Sequence, residues 1–342
     1  MDDIEIREKI NDKEIHKLLA PIVYLIVLMV VGIPGNLIVL IIYRQKYSKS
    51  VYRTIIWNLT VVDFLFCTLT FPFNIGRLIR YYTFYELWVC KAFTTLIIFF
   101  IMYSSHLLVT LALHRFRQVC MPMRKQITTV NVKYWIIGSF LLAVFLDIPE
   151  CVLQPLDEPT LKDGNATVTG YVCAVSFKNN IYAEIYNGFL TFLFSLYAFI
   201  LFVLYIVIGR RMYLQRKMRQ KTMQTQSQAD ELSSKITKIA VTVSAVFALS
   251  YVPLFVLKLI AGSFDQEKLN ATEFAALKIF ERSYAFNHVA NPFIYAFFDN
   301  SFRQQFKVLI MTIFCRGRTL TESSKEEQTG TRTKDTGSTT VL

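Results

Sequence analysis

The chain carries its apolar residues in long uninterrupted blocks. "APIVYLIVLMVVGIPGNLIVLIIY" (20–43) contains no charge and exceeds the ~20 residues a helix needs to cross a bilayer. Seven such spans run at 19–43, 54–79, 91–116, 133–153, 182–208, 236–261 and 273–297. In hydrocarbon every backbone polar group must be satisfied within its own segment, so each span reads as a helix. Only 18% of the residues are charged, against about a quarter in soluble domains. The fold class predicted is therefore an all-α membrane protein, a seven-helix bundle over 19–299. The connections are short and leave no room for a second globular domain. Span 7 carries Glu281, Arg282, Asn287 and His288 and must face protein rather than lipid.

Lys and Arg set the orientation. The links after spans 1, 3 and 5 hold Arg44, Lys46, Lys49 and Arg53; Arg117, Arg124 and Lys125; and Arg210, Arg211, Arg216, Lys217, Arg219 and Lys221. The opposite side mixes signs. This places residues 1–18 outside, the C-terminus in the cytosol and the chain in the plasma membrane. "MDDIEIREKINDKEIHK" has no apolar core of a cleavable signal, so span 1 is expected to start insertion. The net charge of +12 reads as this bias plus attraction to anionic membrane lipids, not as nucleic-acid binding.

Six cysteines test the topology. Cys90, at the outer mouth of span 3, and Cys173, in the outer loop after span 4, would both meet an oxidising compartment, which predicts a disulfide pinning that loop. Cys151 reads as a free buried thiol, and Cys67 and Cys120 as packing residues. Cys315 is either palmitoylated or a plain thiol. The sequons at Asn165 and Asn270 fall in outer loops and are glycosylation candidates; the one at Asn58 lies inside span 2 and should go unused.

Asp63 sits mid-span, where a carboxylate costs about 2.5–3.5 kcal/mol. Asn36, Ser104, Asn287 and Asn291 lie at matching depth and would give it polar company. The set could hold a sodium ion or a water network, or be a purely structural cluster. Pro72, Pro253 and Pro292 each remove a backbone hydrogen bond and permit a kink. Kinks beside polar groups suggest helices built to pivot.

"GIPGN" (32–36), "NLTVVD" (58–63), "LWVC" (87–90), Trp135, "NPFIY" (291–295) and "FFDNSFRQQF" (297–306) together resemble the signature blocks of the rhodopsin-like, class A, G-protein-coupled receptors. They run in the family's order, with a thin match in span 5, over about residues 20–310. "RFRQVCMP" and "RSYAFNHVANPFIY" are similar to neuropeptide receptors of invertebrate type. By this resemblance "HRF" (114–116) stands at the family's Asp/Glu-Arg-Tyr triplet. Arg115 would then meet the C-terminal helix of a G protein on activation, or Tyr205 and Tyr295 of its own bundle. His114 replaces the usual acid, and "ELSSKITK" lacks the acid at the foot of span 6, with Ser233 closest to its place. Arg115 is thus without both anionic restraints, which predicts raised basal signalling unless other contacts compensate. Phe247 matches the family, Tyr251 replaces the tryptophan before Pro253, and Tyr197 replaces the proline of span 5. Pro122 and Met123 resemble the plug for a G-protein cleft; a methionine there could equally touch lipid.

The resemblance also bears on the ligand. No lysine stands at the place of a retinal Schiff base in span 7, since Ala285 is near it and Lys278 is too close to the outer mouth, and there is no span 3 acid for an amine, since Ile97 is there. The outer half offers Phe73, Asn74, Arg77, Ile97, Phe189, Leu254, Phe255, Lys258 and Glu281 as a wide aromatic mouth of mixed charge, with Asp147 and Glu150 above span 4. "TFP" (70–72) is common in peptide receptors. A peptide ligand is the leading reading: Glu281 would accept a cation, and Lys258 or Arg77 a carboxylate, unless Lys258 and Glu281 simply pair. A lipid or non-amine small molecule is the alternative.

Residues 300–314 form an amphipathic stretch with Phe302, Phe306, Val308, Leu309 and Phe314 apolar, suited to the membrane surface. The tail 315–342 has a disordered composition. It offers phosphorylation sites for arrestin, or is passive. "STTVL" places Thr340 and Leu342 as a PDZ-domain ligand would. A transporter or channel would show repeats or broken half-helices, and an enzyme would show a clustered catalytic set. The histidines at 16, 106, 114 and 288 are scattered, with His106 and His288 read as packing residues whose nitrogens are satisfied, or, for His288, close to the Asp63 cluster, as a residue that tunes it.

Overall fold

The computed structural model describes residues 2–45, 50–153, 157–164, 166–173, 181–221, 228–260 and 269–312, and, within these, leaves aside the side chains at 45, 219–221, 228–230, 255 and 258–260. Asn165, Phe314, Cys315, Thr340 and Leu342 lie outside the described residues, as do the side chains of Phe255 and Lys258.

Helix α1 runs unbroken from Asp3 to Gln45. Asp3 and Glu5 in its first turn oppose the helix dipole's positive end, and Arg44 suits its last turn. The stretch 3–18 is therefore an outward continuation of the first membrane helix, about 24 Å long at 1.5 Å per residue. Helix α2 (Val51–Leu65) starts on Ser50, whose hydroxyl accepts from the Arg53 amide at 3.1 Å. It passes through a π-helical turn, Phe66–Thr70, into α3 (Phe71–Ile79). The bend predicted at Pro72 is thus taken up one turn earlier. There the hydroxyls of Thr68 and Thr70 donate to the carbonyls of Phe64 and Phe66 at 2.9 and 2.8 Å, re-satisfying backbone groups in the way membrane helices require. Gly32 of α1 lies against this turn; a Cβ there would come within 2.7 Å of the Cys67 sulfur.

Helix α4 (Leu87–Cys120) is the most enclosed element, and its buried residues include both apolar side chains and Ser104, His106, His114 and Arg115. Helix α5 (Val132–Leu153) is followed by an antiparallel hairpin, β1 (Thr160–Asp163) with β2 (Ala166–Thr169). Gly164 takes the positive φ of 61° in its turn, a conformation costly to other residues. Helices α6 (Ile181–Lys221) and α7 (Gln228–Ile260) complete the long elements. Pro253 sits inside α7.

Among the described residues six helices, α2 and α3 counting as one, are long and apolar enough to cross a membrane. The seventh crossing is segmented into α8 (Ala271–Phe280), a 3₁₀ turn (Ser283–Phe286) and α9 (Asn287–Phe298). The interruption predicted at Pro292 falls instead at 281–286, and Pro292 lies within α9. Side chains hold the break: Ser283 donates to the Ser250 carbonyl at 2.7 Å, and Arg282 to the Lys278 carbonyl at 2.8 Å. A last helix, α10, spans 300–312. Asp299 caps it, accepting from the Ser301 amide at 3.0 Å, as N-caps do. Phe302 is buried against Tyr43 and Tyr295, and Val308 is exposed.

Candidate functional site

Three polar layers lie along the bundle. At the outer end the Cys90–Cys173 disulfide forms as predicted, with Cα atoms 5.7 Å apart. It ties the loop after α5 to the start of α4. Cys151 is free but exposed rather than buried, because its side of α5 faces away from the bundle. Above the disulfide, the outer part of α1 clasps the hairpin. Arg7 donates to the Thr169 carbonyl at 2.7 Å and the Tyr85 hydroxyl at 3.0 Å, with its guanidinium 5.6 and 5.1 Å from the Tyr85 and Tyr171 rings. Asn11 donates to the Ile79 carbonyl and accepts from the Tyr82 amide, both at 3.0 Å. Lys9 and Lys13 reach Asp163 at 2.6 and 3.3 Å. Asn270 accepts from the Glu273 amide through Oδ1 in a capping box, which leaves Nδ2, the atom that would carry a glycan, out of the cap.

Below this cap, Phe73, Asn74 and Ile97 are buried and Leu254 is half-buried, as the mouth reading needs. Phe189 is 43% exposed and points out of the bundle, so it is removed from the pocket set. Glu281 pairs with Lys278 at 3.0 Å and Arg282 at 3.3 Å. The Lys258 partnership considered above falls outside the described side chains, and these two cations, both nearly buried, already take the carboxylate. Arg77 lies over the Phe73 ring at 5.6 Å and donates weakly to the Cys173 carbonyl at 3.5 Å.

In the middle layer Asp63 is fully buried. Its Oδ1 accepts from His288 Nδ1 at 2.7 Å and its Oδ2 from Asn291 Nδ2 at 2.6 Å. Phe66 stacks on the His288 ring at 3.9 Å. Of the four partners named for Asp63, Asn291 alone touches the carboxylate. Asn36 turns to the Gly32 and His288 carbonyls at 3.0 and 2.9 Å. Ser104 Oγ and the Asn287 amide are buried without a hydrogen bond to it. His288, read as a packing residue or a tuner of the Asp63 cluster, is its direct partner, and its Nε2 has no hydrogen-bond partner. The two atoms nearest this carboxylate are N–H donors, while Asn36 Oδ1, Ser104 Oγ, Asn287 Oδ1 and Asn291 Oδ1 are buried without a hydrogen-bond partner.

Level with the break in the seventh crossing, Tyr251 stacks on Phe194 at 5.4 Å and meets Phe247 and Tyr284 at 4.8 and 6.4 Å, joining α6, α7 and the break; the third layer lies at the other end of the bundle. Arg115 is buried, with Nη1 donating to Gln118 at 2.8 Å and its guanidinium 5.3 Å from the Tyr52 ring. Among the described residues no carboxylate pairs with it. Tyr205, named as its partner, bonds Ser244 at 3.3 Å, and Tyr295 packs on Tyr43 at 5.7 Å. His114 is buried and its Nδ1 has no hydrogen-bond partner. A tie not foreseen lies nearby: Lys235, at the foot of α7, reaches Asp299 at 2.6 Å. Arg216 of α6 also donates to Ser234. Ser233, the position without its acid, accepts from Thr237 through its carbonyl. Pro122 and Met123 lie on the link after α4, with Met123 98% exposed.

Residues 35–295 match the family described as 7 transmembrane receptor (rhodopsin family). The chain belongs to that family. It is a rhodopsin-family G-protein-coupled receptor, a signalling receptor and a multi-pass protein of the plasma membrane. It is 27% identical over 297 residues to the neuropeptide Y receptor type 4 of Mus musculus, covering 84% of this chain and 78% of that protein. It is 24% identical over 297 residues to the neuropeptide FF receptor 2 of Rattus norvegicus, covering 83% and 70%.

Proposed function

We propose that this receptor binds an extracellular peptide and activates heterotrimeric G proteins, with its N-terminus outside and its C-terminus in the cytosol. The observation that carries this is the similarity, across most of the chain, to receptors named for neuropeptides. It is supported by an outer mouth that combines Phe73, Asn74, Ile97 and Leu254 with the charged Arg77 and Glu281. In this reading Arg115, with Pro122 and Met123, meets the G protein. Phe247, Tyr251, Pro253, Asn291, Pro292 and Tyr295 carry the movement between the two ends. Arrestin on the cytosolic tail and a PDZ domain at Thr340 and Leu342 belong to the same proposal. So do glycans at Asn165 and Asn270 and a lipid on Cys315.

The test is G-protein activation in cells with verified surface expression, challenged with a broad neuropeptide panel, with Arg115→Ala alongside. A response to one peptide, lost in the variant, is expected. Silence to every peptide with basal coupling intact would overturn the peptide ligand; silence with no basal coupling would overturn the signalling role.

For the middle layer we propose that Asp63 ties α2 to α9 through His288 and Asn291 without an ion. The midpoint of thermal unfolding of the purified receptor should then be equal in sodium and potassium chloride of the same strength. A sodium-specific rise that disappears in Asp63→Asn would defeat this.

A further inference from the structure

Glu281 is the acid of the outer mouth, yet both of its carboxylate oxygens are taken inside the protein. Oε1 lies 3.0 Å from Lys278 Nζ and Oε2 3.3 Å from Arg282 Nη1. Lys278 and Arg282 are 6% and 5% exposed. Arg77, from α3, is within electrostatic reach of Glu281 and Arg282, and the charges acting on Lys278 are those of Glu281, Arg282 and Arg77. Among the described residues three cations therefore share one carboxylate, and two positive charges are left over. Taking a charge out of water without a counter-charge is costly.

The two arginines also have donors to spare. A guanidinium carries five N–H donors and no acceptor. Both bonds of Arg282 leave from Nη1, and Arg77 makes one long bond from Nη1 to the Cys173 carbonyl at 3.5 Å. The Nε atoms of both are buried without a hydrogen-bond partner. The Phe73 ring beside Arg77, and the Tyr81 and Phe274 rings beside Lys278, steady the cations but cannot neutralise them. The bond to Cys173 sets the cluster against the disulfide-tied loop, at the mouth. A planar group with two acceptor oxygens fits these donors, since a carboxylate takes paired N–H groups from a guanidinium. A cation from the ligand would meet like charge.

We propose that Arg77, Lys278 and Arg282 form an anion subsite that takes a carboxylate of the peptide ligand, at its C-terminus or on an acidic side chain. This rests on the peptide reading above and reverses the expectation for Glu281, which arranges the cations instead of receiving one.

Two measurements on the full-length receptor test it. The first needs no peptide: thermal unfolding in chloride-free buffer with acetate, against the same concentration of uncharged acetamide. Acetate should raise the midpoint by about 2 °C near saturation. Arg77→Gln and Arg282→Gln should lose most of that rise, and Arg77→Lys, which keeps the charge, should retain more of it than Arg77→Gln. Glu281→Gln removes the competing carboxylate and should lower the acetate concentration needed at least twofold. The second takes each peptide that activates the receptor and compares it with its C-terminal amide and with forms carrying Asn or Gln for Asp or Glu. One of these replacements should weaken activation at least tenfold on wild type and no more than twofold on Arg77→Gln. Acetate no better than acetamide on wild type, an acetate effect unchanged in both arginine variants, or activating peptides indifferent to both replacements would each overturn the proposal. A panel with no activating peptide would overturn the peptide reading and with it the source of the carboxylate, while the acetate arm would still decide the subsite.

Discussion

The two ends of this bundle hold their charges differently. At the outer end Arg7 has two hydrogen bonds and two aromatic faces. Asp163 has two lysines, and Glu281 has both Lys278 and Arg282. A disulfide closes the arrangement. At the inner end Arg115, more deeply buried than Arg7, has one neutral partner on the next turn of its own helix and one aromatic face. A bond to Gln118 cannot restrain α4 against any other helix. The contrast separates rigidity from readiness: the outer end is cross-linked between elements by ion pairs and hydrogen bonds, whereas the residue that would meet a transducer has its hydrogen bond within its own helix and only the Tyr52 ring on another. Among the described residues the ion pair that crosses between elements at the inner end is Lys235 with Asp299, beside the neutral ties of Arg216 to Ser234 and Ser244 to Tyr205.

That pair is the place to break the comparison most strongly. If Lys235 holds the foot of α7 to the corner between α9 and α10, Lys235→Gln frees α7 while leaving Asp299 as the cap of α10. A charge-assisted bond of this burial contributes about 1.5 kcal/mol, roughly tenfold in a two-state balance. Basal nucleotide exchange per surface receptor should rise severalfold, toward that limit. No rise would mean that packing alone holds the inner end. A smaller effect of opposite sign is expected from His114→Asp, which returns an acid beside Arg115. Basal exchange should fall about two- to fivefold, in keeping with the 0.5–1 kcal/mol of a modest ion pair. An unchanged rate would show that the Tyr52 and Gln118 contacts already supply the restraint.

The bundle was legible because bilayer thickness imposes a strong, local rule on sequence: seven apolar blocks can only be helices. Several features escaped that rule. The outer half of α1 looks like a polar tail, since its stabilising contacts, Arg7 to the hairpin and Asn11 to the α3 end, are made by residues more than sixty positions away. The π turn at 66–70 and the break at 281–286 depend on which side chain can take up a freed carbonyl, and the position of a proline alone does not fix that. The Asp63 site was half legible. The carboxylate and Asn291 were marked by their cost in a membrane, whereas His288 read equally as packing or as a tuner of the cluster, and nothing in the sequence makes it the direct partner. Lys235 and Asp299 each lay in a stretch quoted for another reason, and nothing local links them.

The outer end can be tested where its ties are most exposed. Lys9 and Lys13 hold the Asp163 carboxyl below its ordinary range, by hydrogen bonds first and charge second. A carboxyl lowered on folding contributes stability that is complete above its unfolded value, about 3.9, and lost as pH falls through the lower folded value. The clasp should therefore be insensitive to pH between 5 and 8 and loosen only in strong acid. Because the group is exposed, its contribution is also screened by salt. Asp163→Asn should leave surface expression and thermal unfolding nearly unchanged at neutral pH. Its signature is narrower: faster hydrogen exchange in residues 3–18, abolishing any further acceleration when wild type is taken below pH 4. If the clasp opened between pH 5 and 7 instead, a different group would have to hold it. The contrast between a cross-linked outer end and a loosely tied inner end would then hold only at neutral pH.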